Sequence, residues 1–246
     1  MACFDREVIC RRAASAAFQE CVGRLGNFPH GIAIVTAADF FSLATRANAY
    51  LTVAPTVAAF DPYHRPLATH LLHTKLAHWD PAVRDVAARA LAALAPRDPA
   101  WYAIDAVDAL VPRTLDAVLE ARHGAALGLA ALLPALDAAG ATLGQERAGR
   151  VAGVVPAVEK ARLYRGKGGE LMRGAVCRLV GGMAAARIGE GRSCLSHAHG
   201  WHLGKSHATR HPPAPRRAAP RRAPAGNGFA GREPQAPQRQ HPAGGG

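Results

Sequence analysis

The stretch from residue 80 to residue 94 places the strongest constraint on how this chain folds, because it predicts a single helix with one apolar face. Asp80 is a favourable N-cap, and Pro81 suits the first helical turn. Apolar side chains recur along the stretch at helical spacing: Val83, Val86, Ala87, Ala90, Leu91 and Leu94. Arg84 interrupts this face one turn in, and small residues occupy positions where a neighbouring helix must come close.

The same pattern, an arginine followed by small or aliphatic residues at three-residue steps, returns along the chain. The five arginines are Arg11, Arg46, Arg84, Arg122 and Arg173, at intervals of 35, 38, 38 and 51 residues. HEAT and armadillo repeats have periods of roughly 40–47 residues. The sequence therefore predicts an all-α, HEAT/armadillo-like helical-repeat superhelix of about five helix pairs. It is expected to be right-handed, with its inner face holding a protein client.

Each of these arginines marks the second helix of a pair, so a first helix should precede it. These first helices are predicted at 32–41, 65–78, 103–116 and 154–163. The residues before Arg11 leave no room for one, so the first pair is predicted to be incomplete and to leave a hydrophobic face open. Pro55 and Pro112 are expected to kink or end their helices. Residues 140–153 contain four glycines and are predicted to be a loop or a frayed helix.

Composition divides the chain near residue 190. Residues 191–246 hold nine Lys or Arg, one Glu, eight prolines and almost no aliphatic side chains. They account for +8 of the net charge of +12, which leaves +4 for residues 1–190. Such a segment buries too little apolar surface to offset the entropy of ordering. We therefore predict a helical-repeat segment at 1–190 and a disordered Pro/Arg/Ala/Gly/His-rich tail at 191–246.

Cysteine usage and hydropathy predict a soluble protein in a reducing compartment. The five cysteines form no C-x-x-C pair, which disfavours both a disulfide framework and a zinc ribbon. Cys10 and Cys177 fall within apolar helical patterns and are predicted to lie in the core. Residues 1–12 are too charged for a secretory signal. The longest apolar run, 124–136, is shorter than the ~20 residues that span a bilayer.

Several separated stretches resemble one protein family in the same order along the chain. They are residues 4–7 (FDRE), 10–20 (CRRAASAAFQE), 28–31 (FPHG), 78–80 (HWD), 83–84 (VR), 122–124 (RHG), 163–166 (LYRG), 168–169 (GG) and 171–173 (LMR). Together they are similar to the middle HEAT-repeat region of the tubulin-specific chaperone D family, also called tubulin-folding cofactor D. The resemblance covers about residues 3–188 and does not extend into the tail. Family members are several times longer, so the chain resembles an internal slice with an unrelated end.

That resemblance implies a non-enzymatic chaperone of the cytoplasm and cytoskeleton, without a cofactor. It implies binding of β-tubulin after its release from the chaperonin, and a part in assembling the tubulin heterodimer. It further implies α-tubulin, tubulin-folding cofactors C and E and a small Arf-like GTPase as partners. The complex of these proteins would stimulate GTP hydrolysis by tubulin.

The sequence offers one candidate contact patch, the basic turn that contains Arg162, Tyr164, Arg165 and Lys167. It joins two predicted helices and suits an acidic partner surface, although a solvated turn without a partner is the alternative. The repeat positions are interpreted as structural: Arg11, Arg46, Asp80, Arg84, Arg122 and Arg173. In that interpretation Asp80 is an N-cap and Arg84 bridges to the neighbouring repeat, while a partner contact by these two residues is the alternative.

Other chemistry finds little support in the sequence. No Ser/His/Asp or Cys/His arrangement for catalysis is recognisable. Residues 200–206 (GWHLGKS) have three residues between the glycines where a phosphate-binding P-loop has four, and no strand precedes them. Five tail side chains are of metal-ligand type but lack the paired spacing of a zinc site: Cys194, His197, His199, His202 and His207. No nucleotide or metal site is predicted.

Two further functional classes of protein stay open as alternatives. A nucleic-acid-associated HEAT-repeat scaffold would use the basic tail as an electrostatic arm whose affinity falls with salt. Nucleic acid is the less favoured partner, because the helical part is only mildly basic. A HEAT-like DNA glycosylase would need a carboxylate opposite a basic, aromatic groove. Trp79 and Trp101, near Asp80 and Asp105, are the residues from which such a site would have to be built.

Overall fold

The computed structural model describes residues 1–189, and this part of the chain consists of helices joined by turns, with no strand. Ten helices are present in these residues: α1 Val8–Leu25, α2 Gly31–Ala37, α3 46–58, α4 61–75, α5 Pro81–Leu94, α6 99–113, α7 Leu119–Ala138, α8 Gly144–Ala152, α9 Val154–Lys160 and α10 Gly169–Ala185. Short 3₁₀ turns lie at Ala2–Phe4 and Ala95–Arg97. The predicted all-α class is confirmed. The predicted tail lies outside the described residues.

Asp-Pro dipeptides begin three of the helices. The carboxylate of Asp80 accepts a hydrogen bond from the Ala82 amide at 2.8 Å, and that of Asp98 accepts one from the Trp101 amide at 3.3 Å. At α4, Asp61 and Pro62 both lie in the first turn, the N-cap is Phe60, and no side chain caps the helix. As a result α4 and α6 begin four residues earlier than predicted. Proline suits the first turn of these helices, because an amide hydrogen at that position would have no partner within the helix.

The helices pack in two layers. α3, α5, α7 and α10 lie side by side, with α5 between α3 and α7, and α7 between α5 and α10. α4 packs against α3 and α5, α6 packs against α7, and α8 packs against α6. One continuous apolar cluster, mostly Ala, Leu and Val, runs between the layers from Phe4 to Met183. Each helix pair therefore covers the apolar face of the next, as in a helical repeat.

Two glycines within helices allow the helix backbone to touch the backbone of a neighbouring segment. A Cβ atom on Gly124 of α7 would lie 1.6 Å from the carbonyl oxygen of Leu76, in the turn after α4. A Cβ atom on Gly182 of α10 would lie 2.4 Å from the carbonyl oxygen of Ala130 in α7. Backbone contacts backbone at both positions, so any side chain there would push the helices apart.

The glycine-rich insertion is the main correction to the predicted fold. The prediction of a loop or a frayed helix at 140–153 is wrong, because Gly144–Ala152 forms α8. Val151 is fully buried, and Arg147 donates three hydrogen bonds to the carboxylate of Asp108 in α6, at 3.0 to 3.1 Å. Arg150 donates to the same carboxylate at 2.8 Å. These contacts with α6 order a segment whose glycines alone disfavour a helix.

The two predicted prolines differ in effect: Pro55 does not end its helix, whereas Pro112 lies next to the end of α6. α3 continues past Pro55 to Ala58, and it contains π-helix at Ala49–Val53. The widened turn just before Pro55 relieves the clash between the proline ring and the preceding backbone. α6 ends one residue after Pro112.

α1 differs from the other long helices in having a largely open surface. Only Arg11, Ser15 and Val22 are buried among its 18 residues, and Ile9 is exposed. Cys10 is exposed as well, as is Cys177 of α10, so the prediction that both cysteines lie in the core is wrong. The buried faces of both helices are formed by other positions. Within residues 1–189, no helix has both the length and the apolar character needed to cross a bilayer.

Candidate partner-binding edge

The helices that carry the repeated arginines all begin at one edge of the fold. At this edge α1 contacts residues 43–44 before α3, α3 contacts Asp80 before α5, α5 contacts His123 in α7, and α7 packs close to Gly168 before α10. Each contact joins the start of one helix to the start of the next, or to the connection that enters it. The five helices α1, α3, α5, α7 and α10 therefore start side by side. We call the four connections that enter α3, α5, α7 and α10 the loop edge: 38–45, 76–80, 114–118 and 161–168.

Three arginines hold the connections at this edge in the same manner. Nη1 of Arg11, Arg84 and Arg122 donates to the carbonyl oxygens six and five residues earlier. The distances are 3.0 and 2.8 Å for Arg11, 2.6 and 3.0 Å for Arg84, and 3.3 and 2.7 Å for Arg122. Arg173 makes one comparable bond, to the carbonyl of Tyr164 at 3.0 Å. Each arginine thus ties the incoming turn to its own helix.

Two of these arginines also reach the next repeat. Arg11 donates through Nε and Nη2 to the carbonyls of residues 43–44, both at 2.9 Å, and Arg84 donates through Nε to Nδ1 of His123 at 2.9 Å. Both guanidinium side chains are almost fully buried, and Arg84 is only 1% exposed. Nε of Arg122 is also buried but has no acceptor among the described residues. The bridge between repeats is therefore present in some copies and absent in others.

Asp80 joins three segments at the loop edge. Its Oδ1 caps α5, and its Oδ2 accepts from Nε of Arg6 at 2.8 Å and from Nη1 of Arg46 at 3.3 Å. Burial alone would raise the pKa of Asp80, but the hydrogen bonds from Arg6 and from the Ala82 amide outweigh burial and lower the pKa. The residue stays ionised, so the N-terminal segment, α3 and α5 are held at one carboxylate.

The Arg84–His123 contact makes the fold sensitive to acid. Burial, and after it the positive charges of Arg84 and Arg178, lowers the pKa of His123 from 6.5 to about 4, and Asp85 opposes this shift. Between these two values the unfolded chain carries a proton on His123 that the folded chain does not. Stability should therefore fall as the pH drops from about 6.5 to about 4, by about 3 kcal/mol from this residue.

Denaturant titrations at pH 7 and at pH 4.5 test this expectation. His123→Asn is the matched variant, because the amide oxygen can accept from Nε of Arg84 without titrating. We expect the variant to lose distinctly less stability than the wild type between the two pH values. An equal loss in both proteins would show that His123 is not the group responsible.

Large apolar side chains face solvent along the loop edge: Phe40, Phe41, Trp79, Leu115 and Val118. Phe41 is 80% exposed and Trp79 is 64% exposed. Arginines stack on two of these rings, with Cζ of Arg12 3.8 Å from the centroid of Phe40 and Cζ of Arg6 4.7 Å from that of Trp79. Open aromatic clusters of this kind mark interaction surfaces in soluble proteins.

The basic turn predicted as a contact patch lies in the last connection of the loop edge. Arg162, Arg165 and Lys167 are exposed there, and Arg162 has a left-handed backbone conformation with φ of 56°. Tyr164 is half-buried against the core, and burial raises the pKa of its hydroxyl. The three cations thus share one exposed turn, whereas Tyr164 contributes mainly to packing.

Other predicted groupings are not brought together. Trp79 precedes α5 and Trp101 follows it, so a helix of 14 residues, about 20 Å long, separates the two positions along the chain. Asp80 is engaged by arginines, and Asp105 is exposed on α6. The residues required for a glycosylase site are therefore dispersed.

The remaining candidates give no chemical site within the described residues. No cluster of three or more His, Cys, Asp or Glu suited to a metal is present in residues 1–189. Two open cavities of about 350 and 340 Å³ are lined mainly by apolar side chains at the ends of helices. The P-loop-like stretch 200–206 and the tail metal-ligand candidates lie outside the described residues.

Comparison with known proteins gives matches to a tubulin-specific chaperone D and to a tubulin-folding cofactor D. Residues 1–32 match the family described as "Tubulin-specific chaperone D-like, ARM repeats". The chain is 30% identical over 181 residues to "Tubulin-specific chaperone D" of Dictyostelium discoideum, which covers 72% of this chain and 12% of that protein. It is 31% identical over 133 residues to "Tubulin-folding cofactor D" of Schizosaccharomyces pombe, which covers 53% and 12%. No solved structure matches the chain. The resemblance inferred from the sequence is confirmed.

Proposed function

We propose that this chain, which is similar to one segment of tubulin-specific chaperone D, binds β-tubulin and takes part in assembling the tubulin heterodimer. The observation that carries the proposal is the identity of 30% and 31% to two relatives, one named a tubulin-specific chaperone and the other a tubulin-folding cofactor. A helical-repeat fold supports it, since stacked repeats offer extended surfaces to a protein client. The chain spans 12% of the length of each relative, so it would supply one part of a larger binding surface.

The proposed mechanism contains no bond chemistry in this chain. Client and chain would associate by surface complementarity at the loop edge, with the basic turn at Arg162, Arg165 and Lys167 facing acidic groups of a partner. α-Tubulin, tubulin-folding cofactors C and E and a small Arf-like GTPase would join the same complex. That complex would stimulate GTP hydrolysis by tubulin, in the cytoplasm and in association with the cytoskeleton.

A pull-down tests the proposal directly. The tagged full-length chain should capture newly synthesised β-tubulin at micromolar concentration. Charge reversal at Arg165 and Lys167 together should weaken capture several-fold at low salt, because two cations of the basic turn become anions. Absence of capture by the wild-type chain would remove the proposal.

The basic tail requires its own control. Residues 191–246 carry a charge of +8, which alone can retain polyanions non-specifically. A chain that ends at residue 190 should still capture β-tubulin. If truncation instead abolishes binding of DNA or RNA and β-tubulin is captured by neither protein, the nucleic-acid-associated scaffold becomes the better account.

A further inference from the structure

Trp79 is held on a rigid support although its ring faces solvent. Its carbonyl accepts from Nη1 of Arg84 at 3.0 Å, and the next residue, Asp80, caps α5. The ring contacts the imidazole of His78, with centroids 5.4 Å apart and planes at 28°, and the guanidinium of Arg6, whose Cζ lies 4.7 Å from the ring centroid. These two contacts restrict the orientation of the indole before any partner binds.

Phe40 and Phe41 are fixed in a similar way in the preceding connection. Their rings meet edge to face, with centroids 5.5 Å apart. Nε of Arg12 donates to the carbonyl of Phe40 at 3.1 Å while its guanidinium covers the Phe40 ring. Leu43, two residues further on, is fully buried and anchors the turn in the core.

The Trp79–His78 pair and the Phe40–Phe41 pair belong to one surface. Asp80, beside Trp79, binds Arg46 at the start of α3 and Arg6 ahead of α1, so the connections 38–45 and 76–80 are tied together. We define the aromatic patch as the side chains on this surface: Arg6, Arg12, Phe40, Phe41, His78 and Trp79. It lies at the opposite end of the loop edge from the basic turn at 161–168.

We propose that the aromatic patch is the site that anchors β-tubulin; this inference rests on the proposed function. Preordered Trp and Arg side chains are the residues that carry most binding energy at protein interfaces, because little conformational entropy is lost on binding. The Nη groups of Arg12 have no acceptor among the described residues, so they are available to a carboxylate. The client segment that fits is apolar and flanked by acidic side chains.

Alanine substitutions in the full-length chain test the aromatic patch by titration against labelled β-tubulin. Trp79→Ala and Phe41→Ala should each weaken binding about 30-fold, the loss typical of a hot-spot residue. Ile104→Ala is the matched control, because Ile104 is an exposed apolar residue in the middle of α6 and outside the loop edge. Its binding constant should stay within about two-fold of the wild type. Thermal melts should be unchanged for all three variants, since the replaced side chains are exposed.

The possible results separate this inference from the proposed function. Wild-type binding that survives both aromatic substitutions overturns the anchoring site and leaves the proposed function standing. No binding by the wild-type chain overturns both. Arg12→Gln should weaken binding about five-fold through loss of the charge-assisted contact, and an unchanged constant overturns the carboxylate part of the inference.

Discussion

Gly124→Ala should lower the free energy of unfolding by about 3 kcal/mol or more, and the melting temperature by on the order of 10 °C. The added Cβ atom would lie 1.6 Å from the carbonyl oxygen of Leu76 and 2.6 Å from its carbon. These are backbone atoms, so no side-chain rotation can relieve the overlap. α7 would have to move away from the turn after α4, and this movement would open the apolar core between them. Chemical denaturation followed by circular dichroism measures the loss.

Two adjacent glycines in α10 give a matched control for this experiment. A Cβ atom on Gly181 meets nothing within 4 Å, whereas one on Gly182 would lie 2.4 Å from the carbonyl oxygen of Ala130. Gly181→Ala should therefore raise stability by about 0.5–1 kcal/mol through helix propensity. Gly182→Ala should lower it. Similar changes in the free energy of unfolding for Gly124→Ala and Gly181→Ala would contradict the direct contact between α7 and the Leu76 backbone.

Arg84→Met should cost about 3–5 kcal/mol, because methionine fills much of the same volume but leaves three acceptors without their donors. The carbonyls of His78 and Trp79 and Nδ1 of His123 would lose their hydrogen bonds. Arg84 is 1% exposed, so water cannot replace the guanidinium without opening the fold. The loss should be measured at pH 7, where His123 is neutral in both proteins.

Arg173→Met is the control at a corresponding repeat position. Arg173 is exposed and makes one hydrogen bond, to the carbonyl of Tyr164. Its replacement should cost less than about 1 kcal/mol, because solvent can satisfy the carbonyl that it leaves. Equal losses for the two variants would mean that burial and the bridge to the next repeat do not decide the contribution of the arginine.

The helical repeat was predictable from the sequence because its signals are local. An N-cap, a proline in the first turn and an apolar face at helical spacing act within one helix, and Asp80 to Leu94 carries all three. The interval between arginines then implies stacking. The helix in the insertion at 140–153 was not predictable from local signals, because α8 is supported by the contact of Arg147 with Asp108, 39 residues earlier.

The candidate site was predictable only in part. The basic turn around Arg165 stands out by charge and by its place between two helices. Phe41 does not stand out, and Trp79 enters only as part of a glycosylase site, because an aromatic residue near a helix start is as readily interpreted as core. Their exposure depends on the tertiary structure, which places the connections before α3 and α5 together at one edge of the fold.

The sequence alone determined that this chain forms helices and that an arginine returns near the start of five of them, α1, α3, α5, α7 and α10. These features follow from interactions between residues close together in the chain, where spacing decides which groups meet. Only the tertiary structure decided which arginine finds an acceptor in the next repeat, so that Arg84 meets His123 while Nε of Arg122 has no acceptor among residues 1–189. Such contacts join residues nearly 40 positions apart, and the packing distance between helices, which no local pattern encodes, selects them.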